Sequence, residues 1–181
     1  MRISLTVDNM DEGDSDSGVP LWSIPALELA LCNFIGAIWS GSIHYEVIEI
    51  SVSLLSKEEI RYYNRRYRQT DEPTDVLSFP MWEEDGIFTP PDSMDLLPLG
   101  DILICPAIVK QNVSYIPGRN YYREISLMLA HGILHLLGMD HDTPERKKQM
   151  WDLQASLSGE IEKHANGREI SFPAAGGCSD V

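Results

Sequence analysis

The chain predicts an α+β fold, a small mixed β-sheet packed with helices, with its most informative helix near the C-terminal third. Three observations lead there. Short stretches that alternate apolar and polar residues, or run apolar with β-branched side chains, recur at 2–8, 46–55, 75–79 and 99–105. Between and after them lie longer segments with apolar residues three and four apart, the helical period. Strands and helices follow no strict strand–helix–strand rhythm, so a purely parallel sheet is not expected.

The first strand runs from Arg2 to Asp8. Asn9 to Gly18, rich in Asp, Ser and Gly, reads as a mobile loop. Ser23 has the chemistry of an N-cap and Pro25 suits a first turn, opening a helix to about Trp39 that Gly41 ends. Glu46 to Leu55 is the second strand. Ser56-Lys-Glu-Glu59 has capping-box spacing and starts a helix through Tyr67. Its inner face is Ile60, Tyr63, Asn64 and Tyr67, while Arg61, Arg65 and Arg68 form a row at helical spacing that ordinarily means a solvated face. Asp71-Glu-Pro-Thr is a turn, and Asp75 to Phe79 a short strand closed by Pro80.

Trp82 to Pro98 carries acid, glycine and several prolines and predicts a long loop, a length that often accompanies function. Leu99 to Cys105 is a strand, Pro106 begins a short helix, Arg119 to Leu137 forms a helix with its approach, and Pro144 to Leu157 a last helix. By length and pattern, 1–158 is a single catalytic domain and 159–181 a frayed, partly disordered tail.

Composition excludes several classes. No apolar run is long enough to span a bilayer, and the first residues lack the basic-then-apolar layout of a signal peptide, so no membrane role is expected and the cytoplasm is the default location. Cys32, Cys105 and Cys178 are scattered and odd in number, so they read as reduced thiols and not as a disulfide framework or zinc knuckle. The net charge of −14 argues against general affinity for nucleic acid. Against that balance, Arg61, Arg65, Arg66 and Arg68 fall within eight residues. Contact with a nucleic acid is therefore expected to be short and local, with no long track of the kind that follows duplex DNA.

The densest chemistry lies in H-G-I-L-H-L-L-G-M-D-H, residues 131–141, which hold three of the five histidines. Four residues of helix rotate through about 400°, so His131 and His135 project from one face a turn apart. Gly138 can adopt the left-handed conformation that ends a helix, and the returning chain brings His141 to complete a three-imidazole set. A lone histidine on an apolar helix is usually packed core; a third one just past a helix-ending glycine is hard to explain that way. Three protein ligands leave a zinc ion an open position, the mark of a catalytic site. The spacing is metzincin-like with one departure. Those proteases read H-E-x-x-H, the Glu being the general base, whereas here that position is Gly132, so peptidase chemistry lacks its base.

Two further blocks stand upstream: Tyr67-Arg68-Gln-Thr-Asp71-Glu-Pro-Thr74-Asp75-Val-Leu-Ser78-Phe79-Pro80, and Gly100-Asp101-Ile-Leu-Ile. With the histidine block, and in this order, they resemble the YbeY family of bacterial endoribonucleases, also described as rRNA maturation factors. The resemblance covers roughly Ser56 to His141. It implies a metal-dependent, single-strand-specific endoribonuclease that matures small-subunit ribosomal RNA and serves ribosome quality control. It implies one zinc ion per chain held by His131, His135 and His141, and assigns Arg68 as the catalytic arginine. The implied partners are single-stranded RNA, ribosomal RNA and the small ribosomal subunit, with no DNA and no membrane. A guanidinium matches phosphate with paired donors, so Arg68 is expected to face the metal across the scissile phosphate.

The general base is open. Asp71, Asp75, Asp101 and Asp140 are nearby in the motifs, and for each a turn, a cap or an orienting role is the ordinary reading. Tyr62, Tyr63 and Tyr67 can stack on unpaired bases, although aromatics at this spacing are more often core. His44 and His164 stand alone without a role. Two rival readings remain: a ribosome-assembly factor with a structural zinc, and a metallohydrolase of another substrate class. Three imidazoles would also accept nickel, cobalt or copper.

Overall fold

A computed structural model describes residues 1–9, 22–84, 87–92, 94–115, 118 and 120–164. The loop expected over 10–18, Arg119, Cys178 and the tail from 165 lie outside the described residues. The elements in order are β1 (Arg2–Asn9), α1 (Ile24–Ile38), a 3-10 turn at Ser40–His44, β2 (Val47–Leu54), α2 (Lys57–Arg68), β3 (Val76–Pro80), β4 (Glu83–Glu84), β5 (Ile87–Phe88), β6 (Leu96–Ile104), α3 (Pro106–Ser114), α4 (Tyr121–Leu136) and α5 (Pro144–Lys163). Four strands form one mixed sheet in the order β1-β2-β6-β3. β1 lies parallel to β2 and β2 parallel to β6, while β3 pairs antiparallel to β6, with Val76 opposite Ile104 and Pro80 opposite Gly100. The α+β class and mixed sheet expected from the sequence are what the chain forms.

Alternation along the strands divides the core in two. Ile48, Ile50, Val52 and Leu54 of β2 and Ile102 and Ile104 of β6 join a large cluster with Leu27, Leu31 and Ile35 of α1 and Ile125, Leu129, Ala130, Ile133 and Leu136 of α4. Leu103 and Leu77, which point the other way, join Leu55, Ile60 and Cys105 beneath α2. Thus α4 covers one face of the sheet and α2 the opposite one. Burying each large aliphatic side chain contributes about 1.5–3 kcal/mol, so α4 is held by several such terms.

Local chemistry explains most boundaries. Ser56 Oγ accepts the Glu59 N–H at 3.3 Å and the Ser56 N–H donates to Glu59 Oε2 at 2.9 Å, closing the expected capping box. At α4 the cap is Asn120, whose Oδ1 accepts the Tyr122 N–H at 2.8 Å. Ser23 occupies the N-cap position of α1 without a side-chain bond; its N–H instead donates to the His164 carbonyl at 3.1 Å. Helix α5 is longer than its pattern suggested, passing Gly159 to reach Lys163, with Leu157 and Ile161 buried on its inner stripe.

The long loop is partly ordered. β6 begins at Leu96, three residues before the expected start, and β4 and β5 pair as a small antiparallel ladder. Trp82 Nε1–H donates to the Pro98 carbonyl at 2.6 Å. Pro98 cannot donate to a ladder, and β6 bulges beside it: Glu49 faces Pro98 and Ile50 faces Gly100, leaving Leu99 over. Gly100 has φ +136°, and a Cβ there would collide with the Phe79 carbonyl oxygen. Cys32 and Cys105 are free thiols, and burial pushes the Cys105 thiol up from its usual range. Among the described residues no helix is long and apolar enough to cross a membrane.

At Gly132 the backbone of α4 comes close to the sheet. A Cβ there would lie 2.8 Å from Ile102 Cγ2 and 3.0 Å from its Cδ1, and Ile102 is itself fully buried. Alanine is the better helix former by about 1 kcal/mol, yet overpacking a core costs about 1–3 kcal/mol. Gly132→Ala is therefore expected to lower stability by about 1 kcal/mol in urea denaturation; unchanged or raised stability would show that Ile102 has room to move.

Candidate metal centre

The C-terminal half of α4 and the turn behind it build the site. His131 and His135 are half-buried on one side of α4, with their Nε2 atoms 3.0 Å apart. The helix then closes on itself: the Gly138 N–H donates to the His135 carbonyl at 2.9 Å and the Met139 N–H to the Leu134 carbonyl at 3.0 Å. That pair of bonds needs a left-handed residue, and Gly138 supplies it at φ +73°. A side chain there would also strike Phe88 of β5, whose Cβ stands 2.6 Å from the would-be Cβ. Phe88 packs edge-on against Trp39, ring centroids 5.1 Å apart, so β5 braces the turn. Three residues on, His141 stacks over His131 with ring centroids 5.6 Å apart.

One donor atom from each of His131, His135 and His141 lies within 4.8 Å of the others. Zinc–imidazole bonds of about 2.0–2.1 Å place tetrahedral ligand nitrogens about 3.3 Å apart, close to the 3.0 Å between His131 and His135, with the donor of His141 inside the 4.8 Å limit of the set. Burial, followed by the proximity of His131 and His141, lowers the His135 pKa to about 4, although a hydrogen bond to the Met139 backbone pulls the other way. His135 is thus a neutral imidazole at ordinary pH, the form that ligates metal. All three donors are borderline nitrogen ligands, a chemistry that fits a transition-metal ion.

The same cleft, of about 680 Å³, is lined by these histidines, by Val76, Leu77, Ser78 and Pro80 of β3, and by Arg68 and Asn64 of α2. The four clustered arginines have different fates. Arg61 binds both carboxylate oxygens of Asp71 at 3.0 Å, Arg65 stands 3.9 Å from the same carboxylate, and Arg66 donates to Tyr62 Oη at 3.2 Å. Hydrogen bonding from Arg61 holds the Asp71 carboxyl below its usual range. Arg68, exposed at the end of α2, forms no ion pair among the described residues, and Gln69 behind it takes φ +58° to turn the chain. Buried Asn64 fixes the following loop, donating from Nδ2 to the Glu72 carbonyl at 2.7 Å.

The candidate aspartates are mostly engaged. Asp75 Oδ1 accepts the Val76 N–H at 2.9 Å and the Thr74 hydroxyl at 3.2 Å, and its Oδ2 accepts Asn112 Nδ2 at 3.3 Å. Asp140 Oδ1 accepts the backbone N–H of His141 at 2.7 Å, which lowers its pKa, so it shapes the turn and does not contact the ring through that bond. Asp101 is exposed on β6 and is not part of the cleft lining. Among the tyrosines, Tyr63 is half-buried against the smaller core, while Tyr62 and Tyr67 are 48% and 55% exposed. Sequence reasoning missed Gln154, an 8% exposed polar residue of α5 whose Oε1 lies 3.0 Å from His131 Nδ1. Its signal was a polar residue in register with Met150, Leu157 and Ile161 on the buried stripe.

The family model described as endoribonuclease YbeY matches residues 31–162, which runs from the second half of α1 to the last turn of α5. The chain belongs to the YbeY family. An endoribonuclease YbeY from Thermoanaerobacter sp. is 42% identical over 120 residues, 63% of this chain and 74% of the relative. Another, from Bacillus velezensis, is 35% identical over 159 residues, 87% of this chain and 96% of the relative. A Thermotoga maritima protein known from its solution structure has 25% identity and a TM-score of 0.54, covering 92% of this chain and 99% of that one. The three blocks that resembled the family converge in space: the first supplies Arg68 and β3, the second the bulged strand beneath α4, the third the histidines.

The His135 environment carries a pH prediction. Unfolded, its imidazole takes a proton near pH 6.5; folded, only near 4. Because the unfolded chain binds that proton more readily, stability of the metal-free protein should fall as pH drops from about 6.5 towards 4. His135→Asn should flatten that part of the profile in denaturation measured from pH 7 to 4.5. A variant profile parallel to wild type would show that this ring is not the group responsible.

Proposed function

We propose that this protein is a metal-dependent, single-strand-specific endoribonuclease whose ion, zinc, is held one per chain by His131, His135 and His141, with Arg68 as the catalytic cation. The observation that carries it is the meeting, in one cleft, of three clustered imidazoles and a guanidinium that forms no ion pair among the described residues. Family membership supports RNA as the substrate. Its biological setting, on this reading, is maturation of small-subunit ribosomal RNA and ribosome quality control in the cytoplasm. The sheet and helices through α5 act as one catalytic domain.

Zinc in such a site supplies Lewis acidity at a phosphoryl oxygen. The chain's own residues do the rest. Arg68 donates paired hydrogen bonds to the phosphate and stabilises the charge that builds on its oxygens in the transition state. The lack of a carboxylate partner among the described residues matters, because a guanidinium already bound like Arg61 would have to break that pair first. An open cleft with one such cation among the described residues suits a short length of single strand better than a duplex, and exposed Tyr62 and Tyr67 on the same helix offer faces for unpaired bases. Asp140 and Asp75 hold the turns that aim His141 and β3. The peptidase reading has no base, since the position that would carry one packs on Ile102.

Metal analysis and cleavage of single-stranded RNA, on wild type, His135→Ala and Arg68→Ala, test the reading together. The expected outcome is near one metal per chain and cleavage for wild type, loss of both in His135→Ala, and normal metal content with turnover reduced about 100-fold or more in Arg68→Ala. Bound metal without cleavage in clean wild-type protein would overturn the nuclease reading. Metal lost along with Arg68 would make that arginine structural.

A further inference from the structure

We infer that Gln154 is a positioning residue for the metal site: its side-chain carbonyl accepts a hydrogen bond from the Nδ1–H of His131 and so leaves the Nε2 lone pair of that ring for the ion. The inference rests on the metal reading of the histidine cluster and goes beyond it, since Gln154 belongs to none of the motif blocks and to a different helix.

Gln154 lies on the stripe of α5 that packs on α4, between Met150 and Leu157, and is 8% exposed. Burying an amide among aliphatic side chains is unfavourable unless its polar atoms find partners. The partner it finds is a ring nitrogen of His131, with Oε1 at 3.0 Å from Nδ1. A carbonyl oxygen only accepts, so this contact requires the proton on Nδ1. A neutral imidazole carries one such proton, which leaves Nε2 bare, and Nε2 is the atom that faces His135 Nε2 at 3.0 Å. The opposite tautomer would put a proton where the ion has to sit. Imidazoles that bind metal are commonly held in this way by an acceptor on the remote nitrogen.

The connection also explains how a residue so far along the chain comes to hold the ring. Thr143, two residues after His141, caps α5 by accepting the Arg146 N–H at 3.3 Å. The turn that delivers His141 therefore starts the helix that returns Gln154 to His131. One short connection positions a candidate ligand directly and orients another through its remote nitrogen.

The test compares wild type, Gln154→Leu and Gln154→Glu, reading the His131 tautomer in the metal-free protein by long-range nitrogen–proton NMR and zinc affinity by chelator competition. Wild type should show the Nδ1–H form at His131. Gln154→Leu should shift that ring towards Nε2–H and weaken zinc binding about 10–100-fold. Gln154→Glu should keep the tautomer and bind zinc at least as tightly as wild type. A residue that merely fills space would lower thermal stability in Gln154→Leu while leaving tautomer and affinity unchanged, and that result would overturn the proposal. An Nε2–H tautomer in wild type would overturn it too, even if Gln154→Leu failed to fold. Wild type that takes up no zinc would sink the metal reading itself and this inference with it, whereas zinc bound equally by wild type and Gln154→Leu would sink this inference alone.

Discussion

The contact on which the site depends is the seat of α4 against β6, where a residue without a side chain meets a buried isoleucine. Gly132 lets the helix backbone settle onto Ile102, and Ile125, Leu129, Ile133 and Leu136 then fill the space to either side. Helix rotation is fixed by that packing, because turning α4 would lift its apolar residues out of the core. With rotation fixed, His131 and His135 must look along the sheet towards β3. The geometry of the imidazoles is thus a by-product of core packing, which is close to rigid on the time average.

A second constraint is the way the chain leaves α4. The left-handed Gly138, the paired amide bonds to His135 and Leu134, and Phe88 beneath the turn allow a tight reversal. Asp140 then holds the His141 backbone, and Thr143 starts α5 at once. The long acidic segment, which by composition looks like a surface excursion, has Phe88 wedged under this reversal. Its contribution is mechanical support.

Much of this was legible in the sequence because the informative features are local. Spacing of four along a helix, a glycine at its end and a serine–glutamate capping box each work within a few residues, so a string of letters records them. The mixed sheet was readable from patterning, although β3 sits one residue later and β6 starts three residues earlier than alternation suggests, because strand ends are set by partner strands. What the sequence hid was pairing at a distance. Nothing in the Arg61, Arg65, Arg68 row says that Asp71 engages the first two and spares the third. Gln154 looked like an ordinary polar residue on an outward-charged helix until α5 was laid against α4. The pairing of β4 with β5 was invisible because two-residue strands carry no period.

The arrangement of the sheet has one more consequence. α4 and α2 cover opposite faces, so a cleft lined by both must cross an edge, and β3 is the edge strand that lines it. A guanidinium carried on one face and imidazoles carried on the other can therefore meet only where the sheet stops. A further strand paired to the free side of β3 would lengthen the sheet and wall one group off from the other, so the cleft depends on that edge staying uncovered.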